Sequence, residues 1–269
     1  MTAVTSSPVI ATTSPAPVLR CARALAARSL RNIRRMPAAF FPALLMPVFQ
    51  AIAFSGTFFA ITQIPSFPTD RSINWFLPLG VCMGSAFGGI GVGFSTIRDL
   101  ESGFYDRLRM APTPRSALLL GPLLSAWFRA TLIVIVVTIV GLIAGARPTS
   151  GIAALGPLLL AGWGIATIAT GWGLGLAYRF RDMRGAAVMQ LSMFLTMFLT
   201  SAQTPIDIMQ GWLPHVARIN PLTYVLDLAR QGFLAGLSWD ATWKGLLAAV
   251  GLSALTMAFA RRGLDRLDG

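Results

Sequence analysis

Apolar residues run along this chain in long blocks, with the polar residues collected between them. Six blocks, approximately 38–63, 73–97, 117–144, 152–178, 185–203 and 241–260, each provide the roughly 20 residues that a helix needs to cross a bilayer. The pattern predicts an all-α integral membrane protein with six transmembrane helices. Ahead of the first block, 18–36 takes up a helical period. Leu19, Ala22, Leu25, Ser29, Ile33 and Met36 fall on one face, and Arg20, Arg23, Arg31, Arg34 and Arg35 mostly on the others. This reads as an N-terminal amphipathic helix lying on the membrane surface, the plainer alternative being a basic flank of the first span. Residues 1–17, rich in Ser, Thr, Pro and Ala, are expected to be a disordered tail. The membrane domain then occupies 37–260 and a C-terminal tail 261–269.

Several spans are interrupted. Pro42 and Pro47 stand in the first, Pro78 with Gly84, Gly88, Gly89, Gly91 and Gly93 in the second, and Gly162, Gly164, Gly171, Gly173 and Gly175 in the fourth. Small residues at these spacings let membrane helices approach closely, so they read as packing positions before cargo contacts. Residues 204–237 are too polar to span but keep an amphipathic pattern. They suggest short re-entrant helices between the fifth and sixth spans, where irregular backbone survives only against protein or water.

Charge fixes an expected orientation. Of 22 basic residues, sixteen fall in 1–36, 98–115, 179–184 and 261–269, five fall in the alternate segments, and Arg129 lies within a span. The positive-inside rule puts the richer segments, and both termini, in the cytosol. Distributed in this way between apolar blocks, the net charge of +12 is a matter of topology and lipid headgroups and not of nucleic acid. A mean hydropathy of +0.66 excludes a soluble globule of this size. Two cysteines and one histidine, His215, support neither a disulfide framework nor a metal site, and no nucleophile–base pattern surrounds His215. The sole lysine, Lys244, is followed by Gly245, so the G-x-x-x-x-G-K-[ST] phosphate loop has no match in this sequence. None of the ten acids falls in the middle of a span, which argues against the carboxylate relay of a proton-driven carrier. Arg129 is the intramembrane charge, read either as a cation snorkelling to the headgroups or as a cargo contact.

Two motifs carry a family resemblance. The first runs from Arg98-Asp99-Leu100-Glu101-Ser102-Gly103 through Leu108 to Pro112-Thr113-Pro114-Arg115. The second is Thr204-Pro205-Ile206, Gly211-Trp212-Leu213-Pro214, Ile219-Asn220-Pro221-Leu222-Thr223-Tyr224, Asp227 and Arg230. In this order, and with six spans over residues 20–265, the chain resembles the ABC-2 type permeases, and among them the daunorubicin-resistance type of bacterial drug exporters. The resemblance implies a cytosolic coupling helix between spans two and three, expected over 101–110. Asp99, Glu101, Gly103, Phe104, Leu108, Arg109 and Pro112 would meet an ATPase subunit there, with Phe104 and Leu108 forming one apolar edge toward it.

It further implies no cofactor in this chain, with ATP and Mg on two copies of a partner ATPase subunit. A second permease chain, identical or homologous, would complete the pathway, and the assembly would sit in a bacterial plasma membrane. Spans one, two and five would line that pathway, making Phe54, Phe58, Met83, Phe87, Met193, Phe194, Met197 and Phe198 the candidate surface for an apolar small-molecule or lipid cargo; the same residues are equally ordinary lipid-facing or packing positions. Pro205, Trp212, Pro214, Asn220, Pro221, Tyr224 and Arg230 would shape the extracellular re-entrant motif. The seven tryptophans fall mostly near expected interfaces, as belt anchors do, which leans toward an apolar cargo over a polysaccharide.

Overall fold

A computed structural model describes residues 15–267 except 36, 65–66, 111–113 and 235, with side chains from 17 onward except 32–43 and 109. Ten α-helices follow one another, and there is no strand among the described residues. They are α1 (Pro15–Arg35), α2 (Pro37–Thr57), α3 (Ser72–Glu101), α4 (Phe104–Arg109), α5 (Arg115–Ile143), α6 (Leu155–Phe180), α7 (Arg184–Phe198), α8 (Leu213–Ile219), α9 (Pro221–Arg230) and α10 (Trp239–Asp265). Four of them, α3, α5, α10 and α6 with the 3₁₀ turn before it, are long and apolar enough to cross a membrane. All six apolar blocks are therefore helical over most of their length, but α2 has 21 residues and α7 only 15, about 22 Å. Residues 1–14 of the expected tail lie outside the described residues, and the amphipathic helix begins at Pro15, three residues earlier than its periodicity suggests.

α3 is the axis of the molecule. It is the most enclosed of the apolar helices, with α2, α5, α6 and α9 around it, and α10 lies behind α6. Glycines set these distances. A Cβ on Gly93 would stand 2.9 Å from the backbone of Gly173, and one on Gly171 would stand 2.7 Å from the backbone of Thr256, so α3, α6 and α10 meet backbone to backbone.

The seam between α5 and α6 is polar and reciprocal. Trp127 Nε1 donates to Thr167 Oγ1 (2.8 Å), Trp163 Nε1 donates to Thr131 Oγ1 (3.0 Å), and the two indoles stack at 5.6 Å. The expectation that the tryptophans serve mainly as interface anchors therefore fails for these two. It fails again for Trp75, which is buried, and for Trp172, which donates to Ser192 Oγ. A donor in a low-dielectric interior is costly to leave bare, and a facing hydroxyl settles it for Trp127, Trp163 and Trp172, whereas Trp75 Nε1 is buried with no hydrogen-bond partner among the described residues. Trp212, Trp239 and Trp243 remain exposed.

α1 lies along α5, burying Ala22 and Ala26. Leu25 fits over Gly121, where a Cβ would come within 2.7 Å of Leu25 Cβ. The helix ends then sort into two groups: α4, the start of α5 and the end of α10 gather at one, and α8, α9 and the α5–α6 connection at the other. At the second, buried Asn74 donates from Nδ2 to the carbonyls of Arg147 (2.9 Å) and Phe233 (3.2 Å) and accepts from Arg147 N.

Gly93→Val should lower the thermal midpoint of the detergent-solubilised protein by the equivalent of about 1–3 kcal/mol, as overpacking does. Gly251→Ala, with nothing within 4 Å of the added methyl, should leave it unchanged or raise it slightly. Equal midpoints for Gly93→Val and the wild type would refute the backbone contact.

Candidate functional site

At the α4 end the chain folds around one turn. α3 stays helical through Asp99, Leu100 and Glu101, because nothing breaks it before Ser102-Gly103. Ser102 N donates to Arg98 O, Gly103 N to Leu100 O, and Gly103 takes a left-handed conformation (φ +67°) that glycine adopts freely. α4 follows at once. The expected helix over 101–110 therefore starts three residues late, and Asp99 and Glu101 close α3 where they were expected to open α4. At a helix C-terminus a carboxylate opposes the dipole. For Asp99 the compensation comes from α1: Arg28 grips it bidentately, Nη1 to Oδ2 and Nη2 to Oδ1 each at 2.8 Å. The hydrogen bonds to Asp99 hold the Arg28 guanidinium above its ordinary pKa.

The guanidinium of Arg28 also lies 3.8 Å over the ring of Phe104. Phe104 and Leu108 accordingly point inward, packed with Leu25 and Leu118 around a cavity of about 50 Å³. Their apolar edge meets α1 and α5 of the same chain. Between them Tyr105 is buried and its hydroxyl hydrogen-bonds that of Tyr178 on α6 at 3.0 Å; burial pushes the Tyr105 phenol up to about 12. Glu101, Asp106 and Arg107 are left facing outward. A shallow cavity beside them is lined by Leu100, Tyr105, Asp106, Arg181 and Leu267. Arg115 and Asp265 approach at 3.8 Å nearby, a weak exposed pair. The side chain of Arg109 and all of Pro112 lie outside the described residues.

Arg28, Tyr105 and Tyr178 were missed by sequence reasoning. For Arg28 a signal existed: by helical geometry it lies only about 60° from Leu25 on the otherwise apolar stripe of α1, where a charge needs a partner. The tyrosine pair left no such signal, because its members are 73 positions apart.

At the other end the second motif resolves into hydrogen bonds. Pro205 leads into a 3₁₀ turn, Ile206–Ile208, and Pro214 and Pro221 sit in the first turns of α8 and α9, where a missing N–H costs nothing. Asn220 Oδ1 caps α9 by accepting from Leu222 N (3.0 Å), while its Nδ2 donates to the carbonyls of Thr196 (2.8 Å) and Leu199 (3.0 Å) at the end of α7. Tyr224 donates to Arg218 O, Thr223 donates to Ala217 O, and Trp212 is exposed. Arg230 is almost completely buried. Its Nη1 donates to Ser201 O (2.6 Å), its Nη2 to Ala202 O and its Nε to Trp75 O (3.3 Å), and its plane lies 3.7 Å over the Trp75 ring. Asp227 lies close enough to feel that charge, but the donors of Arg230 go to these carbonyls and to Ser201 Oγ (3.3 Å).

The eight residues expected along a pathway do not form one surface. Met83, Met193 and Met197 are in the core. Phe54 and Phe58 close an aromatic cluster on Phe76, all three ring pairs between 5.6 and 5.7 Å. Phe87 is half-buried on α3. Phe194 is exposed and stacks on Phe198 at 4.3 Å. The α7 face available to a partner or to lipid is therefore Val188, Leu191, Phe194 and Leu195. Arg129 folds back toward α1, where its Nη2 donates to Ser29 Oγ at 3.2 Å.

Arg230→Met, similar in length, should destabilise strongly, because the carbonyls of Trp75, Ser201 and Ala202 each lose a donor at about 1–3 kcal/mol per group. Arg230→Lys should recover only part, having no planar fork. Thermal unfolding in detergent reads both, and a wild-type midpoint for Arg230→Met would rule out the clamp. Tyr105→Phe should weaken the seating of α4 by about 0.5–1.5 kcal/mol, seen as faster amide exchange confined to 104–109; exchange unchanged there would mean the hydroxyl pair holds nothing.

Comparison with known proteins agrees with this architecture. The model of the ABC-2 type transporter family matches residues 20–234. A putative transport permease, ycf38, of Pyropia yezoensis is 26% identical over 228 residues, covering 82% of this chain and 76% of that protein. The probable multidrug ABC transporter permease YbhR of Escherichia coli is 25% identical over 186 residues, 68% of this chain and 50% of its own length. The matched span takes in α1 to α9, including the α4 turn and the Asn220–Arg230 segment, and so places this chain in the ABC-2 type transporter family.

Proposed function

We propose that this chain is the membrane-spanning subunit of an exporter whose ATP is bound and hydrolysed by a separate ATPase subunit, present in two copies. The observation that carries the reading is the seating of α4. This six-residue helix is held by α1 through Arg28 and Phe104, by α6 through Tyr105 and Tyr178, and by α3 through a single glycine turn. A push on its outward side, Glu101, Asp106 and Arg107, moves three long helices together. In this reading the α4 end and both termini are cytosolic, the α8–α9 end faces outside, and α2 and α7 are the shorter of six spans. The membrane is the plasma membrane of a bacterium.

A second permease chain, identical or homologous, closes the pathway against the exposed apolar faces of α2 and α7. The cargo is an apolar drug, lipid or glycolipid. Soft, exposed residues such as Met46, Phe49, Leu191 and Phe194 suit it, and a relative named as a multidrug permease supports it. The daunorubicin-resistance type is the nearest pattern. A polysaccharide cargo is the second reading, and a proton-driven antiporter the third, disfavoured because no acid lies at mid-span.

Tagged protein extracted in mild detergent from native membranes should bring down a phosphate-loop ATPase, identified by mass spectrometry. Glu101→Arg combined with Asp106→Arg should lose it while keeping the wild-type thermal midpoint. In proteoliposomes carrying both subunits, uptake should require ATP and ignore an imposed pH gradient. Uptake driven by the gradient without ATP would sink the proposal.

A further inference from the structure

Arg129 poses a problem that family membership does not solve. It lies fourteen residues inside α5, and apart from Ser29 it finds no partner: its Nε is buried with no acceptor, and no carboxylate reaches it among the described residues. On α3, Arg98 stands two turns beyond Gly91 on the same face, likewise without an ion-pair partner among the described residues. The nearest acid in sequence, Asp99, is already held bidentately by Arg28. Two arginines on this side of α3, neither with an ion-pair partner among the described residues, leave a strip of net positive charge between the exposed helix end and the apolar interior.

The geometry leaves room there for a ligand. Along α3, Phe87, Gly91, Phe94, Ser95 and Arg98 form a half-open stripe, while the rest of the helix between them is buried. Gly91 faces Arg129: a Cβ on it would stand 3.6 Å from Nη1, and the glycine leaves that space clear. The stripe thus runs from an exposed arginine at the helix end to a deeper arginine beside apolar rings.

We infer that Arg98 and Arg129 form a binding site for the phosphate group of a membrane amphiphile, its apolar chains lying along Phe87 and Phe94. Phosphate fits better than a carboxylate, because even the two non-bridging oxygens of a diester, set tetrahedrally, can each take the donor fork of one guanidinium, and its charge offsets one of the two. Ser29 holds Arg129 in place from α1, so the interfacial helix is part of the site. The inference is independent of any ATPase partner.

The test uses the purified full-length chain and native mass spectrometry in detergent, with dioleoylphosphatidylglycerol as probe and soluble glycerol phosphate as the competing source of the same group. Arg98→Gln and Arg129→Gln should each weaken lipid retention by about tenfold, one charge-assisted contact, with Arg266→Gln as a surface control that retains it. Competition by glycerol phosphate would assign the site to the phosphate alone; retention of lipid despite it would assign the site to the whole amphiphile. Both outcomes support the site if the two variants lose binding. Equal retention by wild type, Arg98→Gln and Arg129→Gln overturns it. If Arg129→Gln does not fold, Arg98→Gln, at the exposed end of α3, decides alone.

Discussion

A backbone carbonyl inside a membrane cannot turn to water for a donor, and this constraint organises the α9 end of the molecule. α7 stops after 15 residues, leaving its last carbonyls and those of the following turn exposed to a poor solvent. A longer helix would satisfy them in the usual way. Here side chains from a later segment do it: Asn220 takes Thr196 and Leu199, and Arg230 takes Ser201 and Ala202. The buried arginine is tolerable for the same reason that the short helix is. Each supplies what the other lacks, donors for carbonyls and oxygens for a guanidinium, and Trp75 covers the remaining face. The asparagine, prolines and arginine of the second motif are thus explained as parts of one hydrogen-bonded plug before any of them is asked to touch cargo.

The α4 end solves a different problem with similar chemistry. An acid at the end of α3 opposes its own helix dipole, and an arginine on an otherwise apolar helix face needs a partner. Arg28 and Asp99 resolve both, and the flat guanidinium then serves as a lid for Phe104. Because the pair is only partly buried its net worth is modest, and its importance is geometric: it fixes the angle between α1 and α3 and, through Phe104, the position of α4. Tyr105 adds the third tie, to α6.

How much of this was legible in the sequence follows from what carries each feature. Long apolar blocks carry the helices, so α3, α5, α6 and α10 were visible within a few residues. The short helix between α3 and α5 was expected within three residues of its place, but the turn at Ser102-Gly103 was read through as helix: Asp99 and Glu101 look like helix openers when the arginine that neutralises Asp99 lies 71 positions away. Met83, Met193 and Met197 resemble pathway residues by type and turn out to be core, since an apolar side chain gives the same signal facing a cargo, a lipid or a neighbouring helix. Trp127 and Trp163 were read as interface anchors for a related reason. The threonines that bind them are one helix away, and no local pattern announces them.

α3 connects the two ends. It carries Asp99 and the glycine turn at one terminus, and Asn74 and the carbonyl of Trp75 at the other, so both guanidinium clamps, the part-buried Arg28 and the buried Arg230, close on the same 30-residue helix. Its flanks are smoothed by glycine where α6 approaches, and Pro78 interrupts its ladder near the α9 end, beside Gly80 and Gly84, which lie against Pro47 of α2. A helix pinned at both ends ties α4 and α9 together, so neither can move without carrying it along. In the proposed exporter, a displacement of α4 would pass to α3 and reach the α9 plug as strain on Arg230 and Asn74. The plug's fixed hydrogen bonds resist partial movement, so the response expected of it is a switch between whole arrangements and not a gradual loosening.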